Sequence, residues 1–155
     1  MALFSGPKKD ERGLKAGFRD MKWGDPPRPG MTVLEETEND RFCLLPTDEL
    51  ELGGVPLTRI VYKYWQKRLA EVQIEIPPDS VDAVFRHLTA EWGKPQQPNR
   101  FIEDFSWQNQ KQGVEATGAS LSKNPNTRAA MLLIQSRYIL AKRTLIPSAG
   151  APPAP

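Results

Sequence analysis

The sequence predicts an α+β fold: a mostly antiparallel, curved sheet of about eight short strands, with one main helix over about 79–92 packed on its apolar face. Three observations predict it. Apolar residues between Asp79 and Trp92 recur at helical spacing. Nearly every other apolar run alternates at period two. The strand-like runs also follow one another closely, without the βαβ alternation that a parallel sheet requires.

The elements follow in chain order. Strands are expected over 14–23, 31–36, 41–45 and 49–52, the last running into a Gly53-Gly54 turn. Residues 58–65 are rich in β-branched and aromatic side chains. In the next run Ala70, Val72, Ile74 and Ile76 alternate with Leu69, Glu71, Gln73 and Glu75, so one face is buried and the other mostly wet. The polar Gln66-Lys67 step between these runs predicts a tight antiparallel hairpin, although neither residue favours positive φ. In the helix, Val81, Val84, Phe85, Leu88 and Trp92 form one stripe. Asp79 or Ser80 is placed to cap it, Gly93 to end it and Pro95 to forbid its continuation. Two more strands are expected over 100–108 and 112–121. Residues 128–143 read as a strand to about Ser136, followed by strand or helix, since alternation and good helix formers overlap there. Fifteen prolines in 155 residues, against a usual share of about 5%, cut the chain into these short pieces.

Composition bounds the rest. With 21 Lys plus Arg against 19 Asp plus Glu, and 39% apolar residues, the profile is that of one globular domain, expected over 13–146 between tails at 1–12 and 147–155. A net charge of +2 supplies no bulk positive field of the kind that coats nucleic acid. No signal-length apolar stretch opens the chain and no 18-residue apolar run occurs, so neither export nor membrane insertion is expected. The single Cys43 fits a reducing cytoplasm.

The phrase Gly17-Phe18-Arg19-Asp20-Met21-Lys22-Trp23-Gly24 resembles a loosely defined set of uncharacterised bacterial α+β proteins. The matching features continue through Asp48 to Gly53, Tyr62-Lys63-Tyr64, Trp92-Gly93-Lys94-Pro95 and Trp107. The resemblance spans roughly residues 17–136 and implies a shared fold and no activity. The proline cluster at 26–29 and the Pro-rich C-terminal end depart from it.

The common chemistries lack their parts, and no catalytic residue, metal ligand or cofactor is assigned. His87 is the only histidine, and at 100° per residue it falls about 120° from the apolar stripe, on the solvated flank of the helix. Cys43 sits between Phe42 and Leu44 as a small core hydrophobe. Gly53-Gly54 lacks the Lys and hydroxyl of a phosphate loop, and Gly118-Ala119-Ser120-Leu121-Ser122 lacks the second Gly of a nucleophile elbow. The acidic stretch Glu35 to Asp40 lacks the ligand spacing of a calcium loop and reads as a solvated hairpin turn.

Three function classes remain. The leading one is a non-enzymatic cytoplasmic accessory domain that binds an unidentified protein partner through Tyr64, Trp65, Lys67 and Arg68. The second is single-stranded nucleic-acid binding through the same aromatic and basic hairpin, 62–68, although strand parity splits Tyr62 and Tyr64 from Lys63, Trp65 and Lys67 and favours ordinary sheet packing of the two tyrosines with the cations solvated at the turn. The third is a small enzyme using Glu103, which shares parity with Phe101, Phe105 and Trp107 and would be desolvated on an apolar face. Against it, Glu103 has the alternatives of a twisted or mixed edge segment or of pairing with an Arg. The oligomeric state stays open, since exposed strand edges can pair.

Overall fold

The computed structural model describes residues 13–145; the tails expected at 1–12 and 147–155 lie outside them. The chain begins with a minimal hairpin of β1 (Gly17–Phe18) and β2 (Met21–Lys22), where a single strand over 14–23 was expected. Arg19 turns the chain at φ 55°, and a Cβ on Gly17 would stand 2.0 Å from the Met21 carbonyl oxygen, so only glycine fits there. The next strands are β3 (Thr32–Glu36) and β4 (Asp40–Leu44). A two-stranded ribbon follows, β5 (Glu51–Leu52) and β6 (Val55–Pro56), folded about Gly53 and Gly54 at φ 59° and 80°.

The long central strands are β7 (Arg59–Trp65) and β8 (Arg68–Ile76). Gln66 and Lys67 turn between them with φ 48° and 62°, the left-handed pair of a two-residue hairpin, without the Asn or Gly that usually supplies it. The Gln66 amide donates to the Asn39 carbonyl at 2.7 Å, so the tip of the β3–β4 hairpin holds the turn in place. A single 3₁₀ turn, Pro78–Ser80, leads into α1 (Val81–Trp92). Neither Asp79 nor Ser80 makes a side-chain cap, contrary to expectation, because that turn supplies the entry instead. Gly93 ends the helix at φ 87°, its amide donating to Thr89.

The last elements are β9 (Asp104–Gln108), β10 (Thr117–Lys123), β11 (Ala130–Ser136) and α2 (Arg137–Leu145). The ambiguous segment is therefore both strand and helix. The Ser136 hydroxyl accepts from the Ile139 amide at 3.1 Å, a cap at the point where the backbone changes period.

Seven strands form one sheet in the order β3-β4-β7-β8-β11-β10-β9, and every neighbouring pair is antiparallel. Two meanders meet where β8 pairs with β11, and α1 carries the chain from the middle of the sheet to its far edge. The rows Tyr62–Val72–Ile134–Ala119–Trp107 and Ile60–Ile74–Leu132–Leu121–Phe105 line one face. Val81, Val84 and Leu88 of α1, with Phe18, Met21 and Trp23 of the N-terminal hairpin, share the core with these rows. The Trp23 indole donates to the Thr117 hydroxyl at 2.8 Å, and that hydroxyl donates to the Lys15 carbonyl at 2.6 Å, which ties the first hairpin to β10. On the opposite face the buried Glu71 carboxylate accepts from the amides of Gln73 and Gln135 at 2.6 and 2.5 Å, so its desolvation is compensated. Among the described residues, no helix is long and apolar enough to cross a membrane.

Candidate interaction surface

The structure dismantles the aromatic patch expected at the β7–β8 hairpin. Tyr62 and Tyr64 are each 1% exposed and Trp65 is 4% exposed, so their rings are core and not a stacking surface. The register skips Ala70 between the pairs Lys63–Glu71 and Tyr64–Leu69, so the bulged residue lies on β8 and Tyr62 and Tyr64 keep the core face. Trp65 lies opposite Asp40 in the sheet, and Asp40 takes Arg143 of α2 at 2.7 Å, which brings that helix to the strand end carrying Trp65. Of the four residues expected to bind a partner, Lys67 is exposed and Arg68 half-buried. What remains at this tip is two cations whose neighbouring strand aromatics, Tyr62, Tyr64 and Trp65, are buried.

Glu103 is not desolvated. Strand β9 begins only at Asp104, so the parity assumed for 100–108 does not extend to it, and its side chain is 59% exposed, with Lys123 at 3.5 Å. An ion pair forms, as one alternative expects, but its cation is Lys123 and not an Arg. His87 departs from expectation in the opposite sense: it is half-buried, and a Cβ on Gly53 would stand 2.4 Å from its ring. The β5–β6 ribbon folds down onto the flank of α1 and uses a glycine to make room for the imidazole. Cys43 is buried, and burial pushes its thiol pKa up, which keeps it unreactive. The acidic stretch forms the β3–β4 hairpin tip, and its residues 36–40 border a cavity of about 280 Å³ together with Pro27, Tyr64, Gln66 and Lys67. Among the described residues no three His, Cys, Asp or Glu side chains gather as a metal-holding group.

One cluster was missed from the sequence. Asp48 accepts from the Tyr62 hydroxyl at 2.5 Å and from the Arg19 guanidinium at 2.7 Å, and Arg19 donates further to the carbonyls of Glu49 and Glu51 at 3.0 and 2.6 Å. The Asp48 side chain is 9% exposed. Desolvation and the neighbouring carboxylate push the Tyr62 pKa far up, so the phenol stays a donor. Here the Gly-Phe-Arg phrase, the acidic residue before Leu50-Glu51-Leu52-Gly53 and the Tyr-x-aromatic strand become one polar latch. The remaining quoted phrase forms a second junction, where the Trp107 indole donates to the Gly93 carbonyl at 2.8 Å and packs on Trp92 with ring centres 5.4 Å apart. Both arrangements spend their polar groups on holding elements together.

The two edges of the sheet differ sharply. At β9, Gln96 pairs with Ser106 in both directions, at 2.8 and 2.9 Å, so one coil residue closes the middle of that edge. At β3 all five residues are exposed, no described segment pairs with the outer side, and Val33 and Leu34 stand in solvent. A bulge falls between Val33 and Glu35. The edge is also acidic: residues 31–60 hold seven carboxylates against two arginines. Glu36 pairs with Arg41, while Glu35 has no ion pair among the described residues.

No protein-family model matches the chain, and no curated protein and no solved structure matches it.

Proposed function

We propose that this chain is a non-enzymatic binding module that takes up an extended, basic segment of another protein as an added strand along β3. The observation that carries the reading is the five-residue edge Thr32–Glu36, exposed throughout and paired on one side only. A long unpaired edge is a liability that folded proteins usually cover, as this one does at β9. Leaving β3 bare, with Val33 and Leu34 outward, supports a docking role in which main-chain hydrogen bonds give affinity and alternate side chains give specificity. Glu35, Glu36 and Glu38 select for Lys or Arg in the incoming strand and oppose pairing of β3 with a copy of itself. Burial of Tyr62, Tyr64 and Trp65 removes the stacking platform that nucleic-acid binding needs.

The test uses a soluble peptide of alternating Thr and Lys, with an alternating Thr and Glu peptide as control, titrated into the isotopically labelled full-length protein. The expected result is a set of backbone NMR shifts confined to 31–37 with the basic peptide alone, weakening as salt rises. The double variant Val33→Lys, Leu34→Lys should lose the response while changing stability by no more than about 0.5 kcal/mol, since both residues are exposed. Shifts elsewhere, or equal shifts with the acidic peptide, would overturn the proposal.

A further inference from the structure

A second surface lies far along the sheet order from β3, at the β9 end. Phe101 is 82% exposed, the most exposed large hydrophobic among the described residues, and Ile102 beside it is half bare. Their loop is nonetheless firmly built. Asn99 accepts from the Phe101 amide through its side chain and from the Ile102 amide through its carbonyl, both at 3.0 Å. Gln97 donates to the Ile102 carbonyl at 2.9 Å, and the Lys123 amide donates to the Glu103 carbonyl at 3.2 Å. The Arg100 guanidinium lies over the Phe101 ring at 4.9 Å. This is a preorganised apolar knob, which costs little ordering entropy on binding.

Two residues further on, the same segment walls a cavity of about 240 Å³. Val81, Phe85, Phe105 and Leu121 line it, and the rings of Phe85 and Phe105 pack together with centres 4.6 Å apart and planes tilted by 51°. A cavity of about 150 Å³ lined by such side chains accepts a benzene ring, so a phenyl group fits here. Asp82, Glu103 and Lys123 rim it. With Arg100, the rim and the knob carry two positive and two negative groups, a balance suited to facing itself and not a partner of one sign. An interface across a twofold axis requires one patch that carries both halves of the contact, and knob and cavity within a single short segment meet that requirement.

We infer that the chain pairs with a second copy of itself by reciprocal insertion of Phe101 into the Phe85–Phe105 cavity, with Glu103 of one copy set against Lys123 of the other. The two β3 edges stay free in this pairing.

Sedimentation equilibrium of the full-length protein across a wide concentration range tests it. The wild type should show a monomer–dimer equilibrium, and Phe101→Ala should raise the dissociation constant at least about tenfold, as truncation of an interface anchor does. The thermal midpoint of this variant in the monomer range should be nearly unchanged, because Phe101 is 82% exposed and what it gives up is the exposed contact with Arg100. Glu103→Lys and Lys123→Glu should each weaken the dimer, and the double exchange should restore it. Val33→Lys should leave it intact, which separates this pairing from strand addition at β3. A monomer at every concentration would overturn the inference, as would a dimer indifferent to Phe101→Ala.

Discussion

The β3 and β9 edges belong to one sheet and pose the same physical problem, a row of unpaired backbone groups, yet the chain treats them in opposite ways. At β9 it returns through Gln96 to pair with Ser106, and it anchors the strand from behind with Trp107, which packs on Phe85 and Trp92 and donates to Gly93. At β3 it adds acidic side chains and a bulge, devices that discourage indiscriminate pairing, and leaves the backbone open. The difference teaches that the open edge is not a general property of this fold, since the same chain covers the other one.

The contrast can be broken from either side. The largest effect is expected at the covered edge: Trp107→Ala removes the indole at the centre of that junction and should cost about 3–5 kcal/mol in urea unfolding. Next comes the latch that fixes the loop between β4 and β5 onto β7 and so holds the strands leading to the open edge. Tyr62→Phe leaves Asp48 buried with one donor fewer and should cost about 1.5–3 kcal/mol at neutral pH. The same residue governs alkaline behaviour. Burial raises the pKa of Tyr62 from its ordinary 10 and pushes Tyr64 up to about 12, so the unfolded chain loses these protons first. Their contribution to stability is whole below pH 10 and is lost as pH rises beyond it, with a shallower slope in Tyr62→Phe. The smallest effect is the most informative about the edges. Gln96→Pro removes the amide that donates to Ser106 and should cost about 1 kcal/mol while speeding exchange of the β9 amides, making that edge resemble β3.

Much of the fold was legible because its signals are local. The alternation of 70–76, the stripe of α1 and its Gly93 stop all carried through, and the mixed signals of 128–143 turned out to be a strand and then a helix, joined at the Ser136 cap. Parity failed where local rules were interrupted. Trp65 is buried at the strand end to which the Arg143–Asp40 pair brings α2, and the turn at 99–103 kept Glu103 out of β9. The capping role expected of Asp79 or Ser80 passed to the 3₁₀ turn. His87 left the solvated flank because the Gly53 ribbon, distant in sequence, lies against it. The latch escaped notice for a related reason. Arg19, Asp48 and Tyr62 are separated by 29 and 14 residues, and only the sheet brings them together. Edge status was equally invisible, since 31–36 and 100–108 read alike as strands and only the strand order makes both of them edges.

Amide hydrogen exchange on the free full-length protein tests the central claim most directly, because it asks whether the β3 edge is open without any partner in hand. The account predicts that the amides of Thr32–Glu36 that do not pair with β4 exchange at rates near those of exposed loops, while the Ser106 amide, bonded to Gln96, is protected. Protection along both sides of β3 in the free protein would mean that the edge is already covered, and would contradict the account.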